Sequence, residues 1–171
     1  MLLNELKNCE TLTEANRIAL DICDKISYKN NYSKRSCKCH TNAIINCSRR
    51  FYDSKYGGIS TLLYAISEIG YGDFSNVIPF VIDILTSTDK CYMEKLEAFD
   101  CIYYMEFDDV DKDIFNISLN RLNEYAKILI NSDNPDDNTI DDVFPSVSEM
   151  IATSLEIFNS NLEENFDESS N

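Results

Sequence analysis

Apolar residues recur at three- and four-residue spacing along most of this chain, the spacing of a helix with one buried face. Leu12, Ala15, Ala19, Ile22, Cys23 and Ile26 share such a face, and Thr11 or Thr13 can cap the helix they define. The segment 28–38 (YKNNYSKRSCK) is polar and basic and predicts a loop. A second helix is expected from Thr41 to Tyr52, with Ala43, Ile44, Cys47 and Phe51 inward and Gly57-Gly58 ending it. Ile59–Ile69 predicts a third, with Leu62, Leu63, Ile66 and Ile69 on one side. The turn Tyr71-Gly72-Asp73-Phe74 follows, then a helix capped by Ser75 or Asn76 that carries Val77, Ile78, Val81, Ile82 and Leu85, with Pro79 in its first turn. A helix from about Lys90 presents Leu96, Phe99, Ile102 and Met105. After the turn 106–109 comes one presenting Ile114, Phe115, Leu119 and Leu122. A last helix from about Ile140 to Leu162 turns Val143, Val147, Met150, Ile151, Ser154, Leu155 and Phe158 inward, with Pro145 near its start.

Two of these stretches superimpose. Ala65, Ile66 and Ile69 match Cys101, Ile102 and Met105 at an offset of 36, and Val77, Ile78, Ile82 and Leu85 match Ile114, Phe115, Leu119 and Leu122 at an offset of 37. A helix–turn–helix unit repeating at that period is the pattern of an α-solenoid, in which each unit buries its face only by stacking on a neighbour. The expected fold is a single all-α domain over residues 1–171, an array of about seven helices. Central hairpins occupy 57–87 and 90–130, a flexible acidic linker 131–139, and a frayed tail 163–171.

Composition agrees with helices. Only 4 Gly and 3 Pro occur in 171 residues, far too few for the turns of a β-sandwich or barrel. Charge adds something periodicity does not. The net charge is −15, and it is concentrated: residues 1–55 carry ten Lys/Arg against six Asp/Glu, whereas 56–171 carry five against twenty-four. Self-repulsion of that size works against a compact state, so the bias points to a basic partner. It argues against nucleic acid and against anionic lipid. No apolar run approaches 18 residues, so no membrane span is expected. The first residues lack a basic segment followed by an apolar one, so no signal peptide is expected. With seven cysteines at irregular spacing, the expectation is reduced thiols in the cytoplasm.

Little in the chain suggests catalysis. Cys37, Cys39 and His40, with Cys47 beyond, offer zinc-type ligands, but C-x-C-H lacks the usual gap and the second cysteine pair. His40 is the only histidine, and a neighbouring cysteine on a helix start seldom faces it as a nucleophile–base pair must. Asp109-Val110-Asp111-Lys112-Asp113 begins like a Ca²⁺ loop, yet Ile114 stands where glycine is required and Asn120 where glutamate should close it. Helix capping by Asp108 or Asp109 explains those acids better. No enzyme activity, metal or cofactor is expected. What stands out is tyrosine among acids at the turns: Glu68, Tyr71, Asp73, Asp100, Tyr103, Tyr104, Glu106, Asp108 and Asp109 form the candidate partner-binding set. That mixture suits a Lys/Arg-rich protein face. Phe74 and Phe107 can instead pack beneath the turns as core.

The segment LLYAISEIGYGDFSNVIPFVIDIL resembles a HEAT repeat: an Ile-Gly pair ends the first helix, an acidic turn follows, and an Ile-Pro-Phe run opens the second. The second unit departs from that pattern, with Glu106 at the glycine position and no proline. The whole chain looks like the small, acidic, all-helical immunity proteins of bacterial toxin systems, including contact-dependent inhibition. The stretch EAFDCIYYMEFDDVDKDIF with the later LNEYAKILIN is similar to the immunity protein 30 family. The resemblance implies cytoplasmic neutralisation of a basic toxin domain, such as a nuclease, by covering its active site or substrate surface. A solenoid adaptor for some other protein, a viral helical immunomodulator and a HEAT-type lyase are the alternatives.

Overall fold

The computed structural model describes residues 1–27, 31–53, 58–108, 110–131 and 144–166. The linker expected at 131–139 and the tail beyond Phe166 therefore lie outside the described residues, apart from Asn131. The chain is all-α in character. Eight helices occur among the described residues: α1 (Leu2–Asn8), α2 (Leu12–Cys23), α3 (Lys34–Arg50), α4 (Ser60–Ile69), α5 (Phe74–Leu85), α6 (Tyr92–Tyr104), α7 (Lys112–Asn131) and α8 (Val147–Phe166). Two three-residue strands, β1 (Tyr71–Asp73) and β2 (Glu106–Asp108), join them. The chain divides into two compact units, Met1–Asp111 and Lys112–Asn171. The boundary falls within the second expected hairpin, leaving α6 in the first unit and α7 in the second.

In the first unit α4 is central, packed against α2, α3 and α6, while α5 lies against α6 and α3. The predicted inward residues of α4, Leu62, Leu63, Ile66 and Ile69, are all fully buried. α5 is apolar on nearly every side, and Phe74, Val77, Ile78, Phe80, Val81, Ile82, Ile84 and Leu85 are all buried, as a helix in the middle of a core must be. α2 contributes Ala15, Ile18, Ala19 and Ile22, and Thr11 caps it by accepting from Glu14 N at 3.2 Å.

Several sequence expectations are corrected. α1 was not anticipated, because Leu6 is its one buried side chain and seven residues give no readable period. The loop expected over 28–38 is helix from Lys34 onward, with 28–30 outside the described residues: Ser33 caps α3, accepting from Ser36 N at 3.2 Å. The basic run after Ser33 lies in the first turns of that helix, where Cys37 alone is buried. α5 is capped by Asp73, whose Oδ1 accepts from Ser75 N at 3.2 Å, and not by Ser75 or Asn76. Pro79 consequently falls in the second turn, inside the helix. Glu94 reaches back to Cys91 N at 3.1 Å and starts α6.

The turns after α4 and α6 are not independent. β1 and β2 pair in parallel, with Tyr71 opposite Glu106, Gly72 opposite Phe107 and Asp73 opposite Asp108. Gly70 ends α4 in the left-handed region, φ 73°. Gly72 lies against the core: a Cβ there would stand 2.7 Å from Val77 Cγ2 and 2.9 Å from Met105 Cε. Thr41 of α3 donates to Tyr71 O at 2.9 Å, tying the strand pair to a third element.

In the second unit α7 packs on α8, with the Phe115 and Phe158 rings 4.9 Å apart. Val147, Met150, Ile151, Ser154 and Phe158 are buried at helical spacing. α8 opens at Val147 on a reciprocal cap: Glu149 N donates to Ser146 Oγ at 3.2 Å and Ser146 N donates to Glu149 Oε2 at 2.7 Å. The Ser146 N–H, and the Ser146 hydroxyl donating to the same oxygen at 2.9 Å, hold the Glu149 carboxyl below its ordinary value. Val143 lies outside the described residues.

Candidate functional site

α6 turns two different faces outward and inward. Leu96, Ala98, Phe99, Cys101 and Ile102 face the core, leaving Met93, Glu97, Asp100 and Tyr104 along the outer side. On α4 the outward positions near its end are Tyr64 and Glu68, four residues apart. Because α4 packs on α6 and α2 packs on α4, these stripes meet, and Asp24 joins them directly after α2. Ser27 extends the contact, donating to Glu68 O at 3.1 Å.

Electrostatics report how close the acids are. Burial raises the Glu97 carboxyl to about 7, and the charges of Asp100 and then Glu68 add to it. Asp100 is raised by burial and by Glu68. Glu68 raises the Tyr64 hydroxyl, with burial, Cys23, Glu97 and Asp24 contributing less. Burial lifts the Cys23 thiol to about 11, with Asp24 and Glu68 adding to it. Asp24, Glu68, Glu97 and Asp100 thus share one field. Among the described residues none of the four has a Lys or Arg ion-pair partner. Glu97 Oε2 is buried and lacks a hydrogen-bond partner there. Such an arrangement costs free energy in the isolated protein and is relieved by incoming positive charge.

Aromatic side chains border these acids. Tyr103 and Tyr104 are 54% and 55% exposed, their rings edge-to-face at 4.8 Å, and Phe99 supports Tyr103 at 5.7 Å. Tyr64 is 42% exposed. Large, stiff, amphipathic rings beside uncompensated carboxylates can stack on and hydrogen-bond to guanidinium and ammonium groups.

The expected residues divide accordingly. Glu68 and Asp100 come together, and Tyr103 and Tyr104 stand one turn beyond Asp100 on the same helix. Tyr71 does not belong to an exposed surface: it is fully buried, with Lys34 Nζ 5.0 Å from its ring centre. An aromatic between two glycines in an acidic turn reads as surface, but its strand pairs with β2 and lies against α3. Asp73 is half-buried, its carboxylate engaged in capping α5. Glu106 is exposed on β2. Asp108 pairs through its backbone with Asp73, and Asp109 lies outside the described residues. Phe74 is buried and meets the half-buried Phe107 edge-to-face at 5.7 Å, which fits the core alternative for Phe74. Sequence reasoning missed Asp24, Tyr64 and Glu97. Glu97 was accessible as the residue one turn before Asp100, whereas Asp24 and Tyr64 required knowing which helices touch.

The cysteine–histidine run lies on α3, where successive side chains diverge by about 100°. Cys37 is buried, Cys39 is exposed, and His40 Nδ1 is engaged with Ser36 O at 2.7 Å. No group of three His, Cys, Asp or Glu among the described residues could hold a metal ion. No described helix is long and apolar enough to cross a membrane.

No family model matches this chain, and no curated protein or solved structure is significantly similar to it.

Proposed function

We propose that this protein binds a basic protein domain through the acidic, tyrosine-bearing face at the ends of α2, α4 and α6, and that it acts as an immunity protein. It would neutralise a toxin domain in the cytoplasm by covering its active site or substrate surface. The observation that carries this reading is the group of Glu68, Glu97 and Asp100, whose charges disfavour one another, with Asp24 beside them and no cationic partner among the described residues, Glu97 having a buried unpaired oxygen. Structural acids are ordinarily neutralised by neighbours. Acids left raised in pKa beside exposed aromatics are better explained by a cationic partner. In the proposed mechanism the face steers a positively charged toxin surface, then excludes its substrate sterically, and no residue of this chain performs chemistry.

A HEAT-like stacking of the two hairpins is the finer structural part of the proposal. The packing of α4 on α6 within the first compact unit, first helix of one expected hairpin on first helix of the next, supports it, as does the pairing of the two turns. The test is co-expression with a toxin domain encoded beside the gene. Growth should be restored and the two proteins should co-purify. Glu68→Lys with Asp100→Lys should abolish both effects while the protein stays folded. Co-purification that survives this double charge reversal would move the interface elsewhere. Binding only to a non-toxin protein would make the chain an adaptor.

A further inference from the structure

α1 and α3 meet around two thiols and a guanidinium. Cys9 directly follows α1 and Cys47 lies in the last turn of α3, 38 residues on in sequence, with their Sγ atoms 3.8 Å apart. No other two thiols are in contact among the described residues. Arg50 lies over both: its Nη2 stands 3.3 Å from each sulfur and donates to Leu6 O at 2.7 Å, while Nη1 donates to Lys7 O at 2.9 Å. The guanidinium thus satisfies carbonyls at the end of α1, and in doing so holds the two cysteines face to face. Both thiols are buried, but a cavity of about 550 Å³ reaches Cys47, lined by Leu3, Leu6, Ala43, Asn46, Cys47 and Arg50.

We propose that Cys9 and Cys47 form a redox-closable pair served by this cavity, with a small disulfide bearing carboxylates as the oxidant. The Cys47 thiolate attacks one sulfur of that reagent, giving a mixed disulfide and one released thiol. The Cys9 thiolate then attacks the Cys47 sulfur, expelling the second thiol and leaving a Cys9–Cys47 bond. The two cysteines lose two electrons, the reagent's disulfide is reduced, and the two protons finish on the released thiols. Arg50 has a positioning role, stabilising each thiolate and attracting the reagent's carboxylates. Burial raises the Cys47 thiol to about 11 and Arg50 works in the opposite direction. Closure is therefore slow at neutral pH and quickens by roughly tenfold per pH unit below that value. The new bond ties α1, otherwise held by Leu6 and Arg50, to α3.

The test uses the full chain with the exposed Cys39 and Cys91 replaced (Cys39→Ser, Cys91→Ser), treated with oxidised glutathione, quenched by alkylation and mapped by mass spectrometry. The expected product has lost two hydrogens, contains a Cys9–Cys47 cross-linked peptide, and unfolds roughly 5–15 °C higher than the reduced form, reverting with dithiothreitol. Adding Cys9→Ser should arrest the reaction at a glutathione adduct on Cys47. A persistent mixed disulfide in the parent protein, linkage of another pair, or recovery of both thiols under conditions that oxidise a dithiol peptide would overturn the proposal. The mapping of the parent decides the matter even where a core variant fails to fold.

Discussion

Glu97→Gln separates the electrostatic reading of the acidic face from ordinary packing. Glu97 is half-buried, its Oε2 has no hydrogen-bond partner among the described residues, and its carboxyl is raised from 4.5 to about 7. Between those values the folded protein holds a proton that the unfolded chain has released. Its contribution to stability is therefore greatest in acid and declines as pH rises through that window. The full shift corresponds to about 3 kcal/mol, and allowance for the exposed part of the side chain brings the change between pH 5 and pH 8 to about 2 kcal/mol. Glutamine has nearly the same shape and cannot ionise. The variant should match the natural protein near pH 4.5 and be more stable by about 2 kcal/mol at pH 8. Urea denaturation of both proteins at pH 4.5, 6 and 8 reads the difference, because titrating groups outside this shared field contribute equally to each. A stability difference independent of pH, or a variant less stable at pH 8, would refute the shared field of Glu97, Asp100 and Glu68.

Other predictions concern the scaffold. Gly72→Ala places a methyl group 2.7 Å from Val77 and should cost about 1–3 kcal/mol in chemical denaturation, a neutral result disproving the close approach of β1 to the core. Glu94 is only 4% exposed and accepts from Ile59 N and Cys91 N, both at 3.1 Å, while pairing with Lys90 at 3.5 Å. Lys90 also donates to Tyr52 O and lies over its ring. Glu94→Ala should therefore cost about 3–5 kcal/mol, and Glu94→Leu combined with Lys90→Met considerably less; equal losses would show that the pair is not coupled.

How much of this was legible in the sequence varied with the kind of signal. α4 and α5 were read from Leu62, Leu63, Ile66, Ile69, Val77, Ile78, Val81, Ile82 and Leu85, because a helix central to a core must bury an unbroken apolar face. The first turns of α3 were missed for the converse reason. Lys34, Arg35 and Lys38 look like a loop because that part of the helix buries little beyond Cys37, and the signal that could have placed it was Ser33 as a cap. A three-residue strand has too few positions to show alternation, so the pairing of Tyr71–Asp73 with Glu106–Asp108 was visible only in space. The acidic face was half legible. Glu68 and Asp100 were identified, but Tyr71 looked equally exposed until the strand pair buried it, and Glu97 gained importance from its burial, from Asp100 on its own helix and from Glu68 on α4.

The central claim is that the uncompensated acids of α2, α4 and α6 recognise a basic protein. The most direct measurement is the association rate with the proposed basic partner domain as a function of salt, for the natural protein and for Glu68→Lys/Asp100→Lys. The account predicts a rate that falls steeply as salt rises, and a loss of roughly tenfold or more at low salt in the variant, with its thermal unfolding essentially preserved. An association rate insensitive to salt and unchanged by the double charge reversal would contradict it.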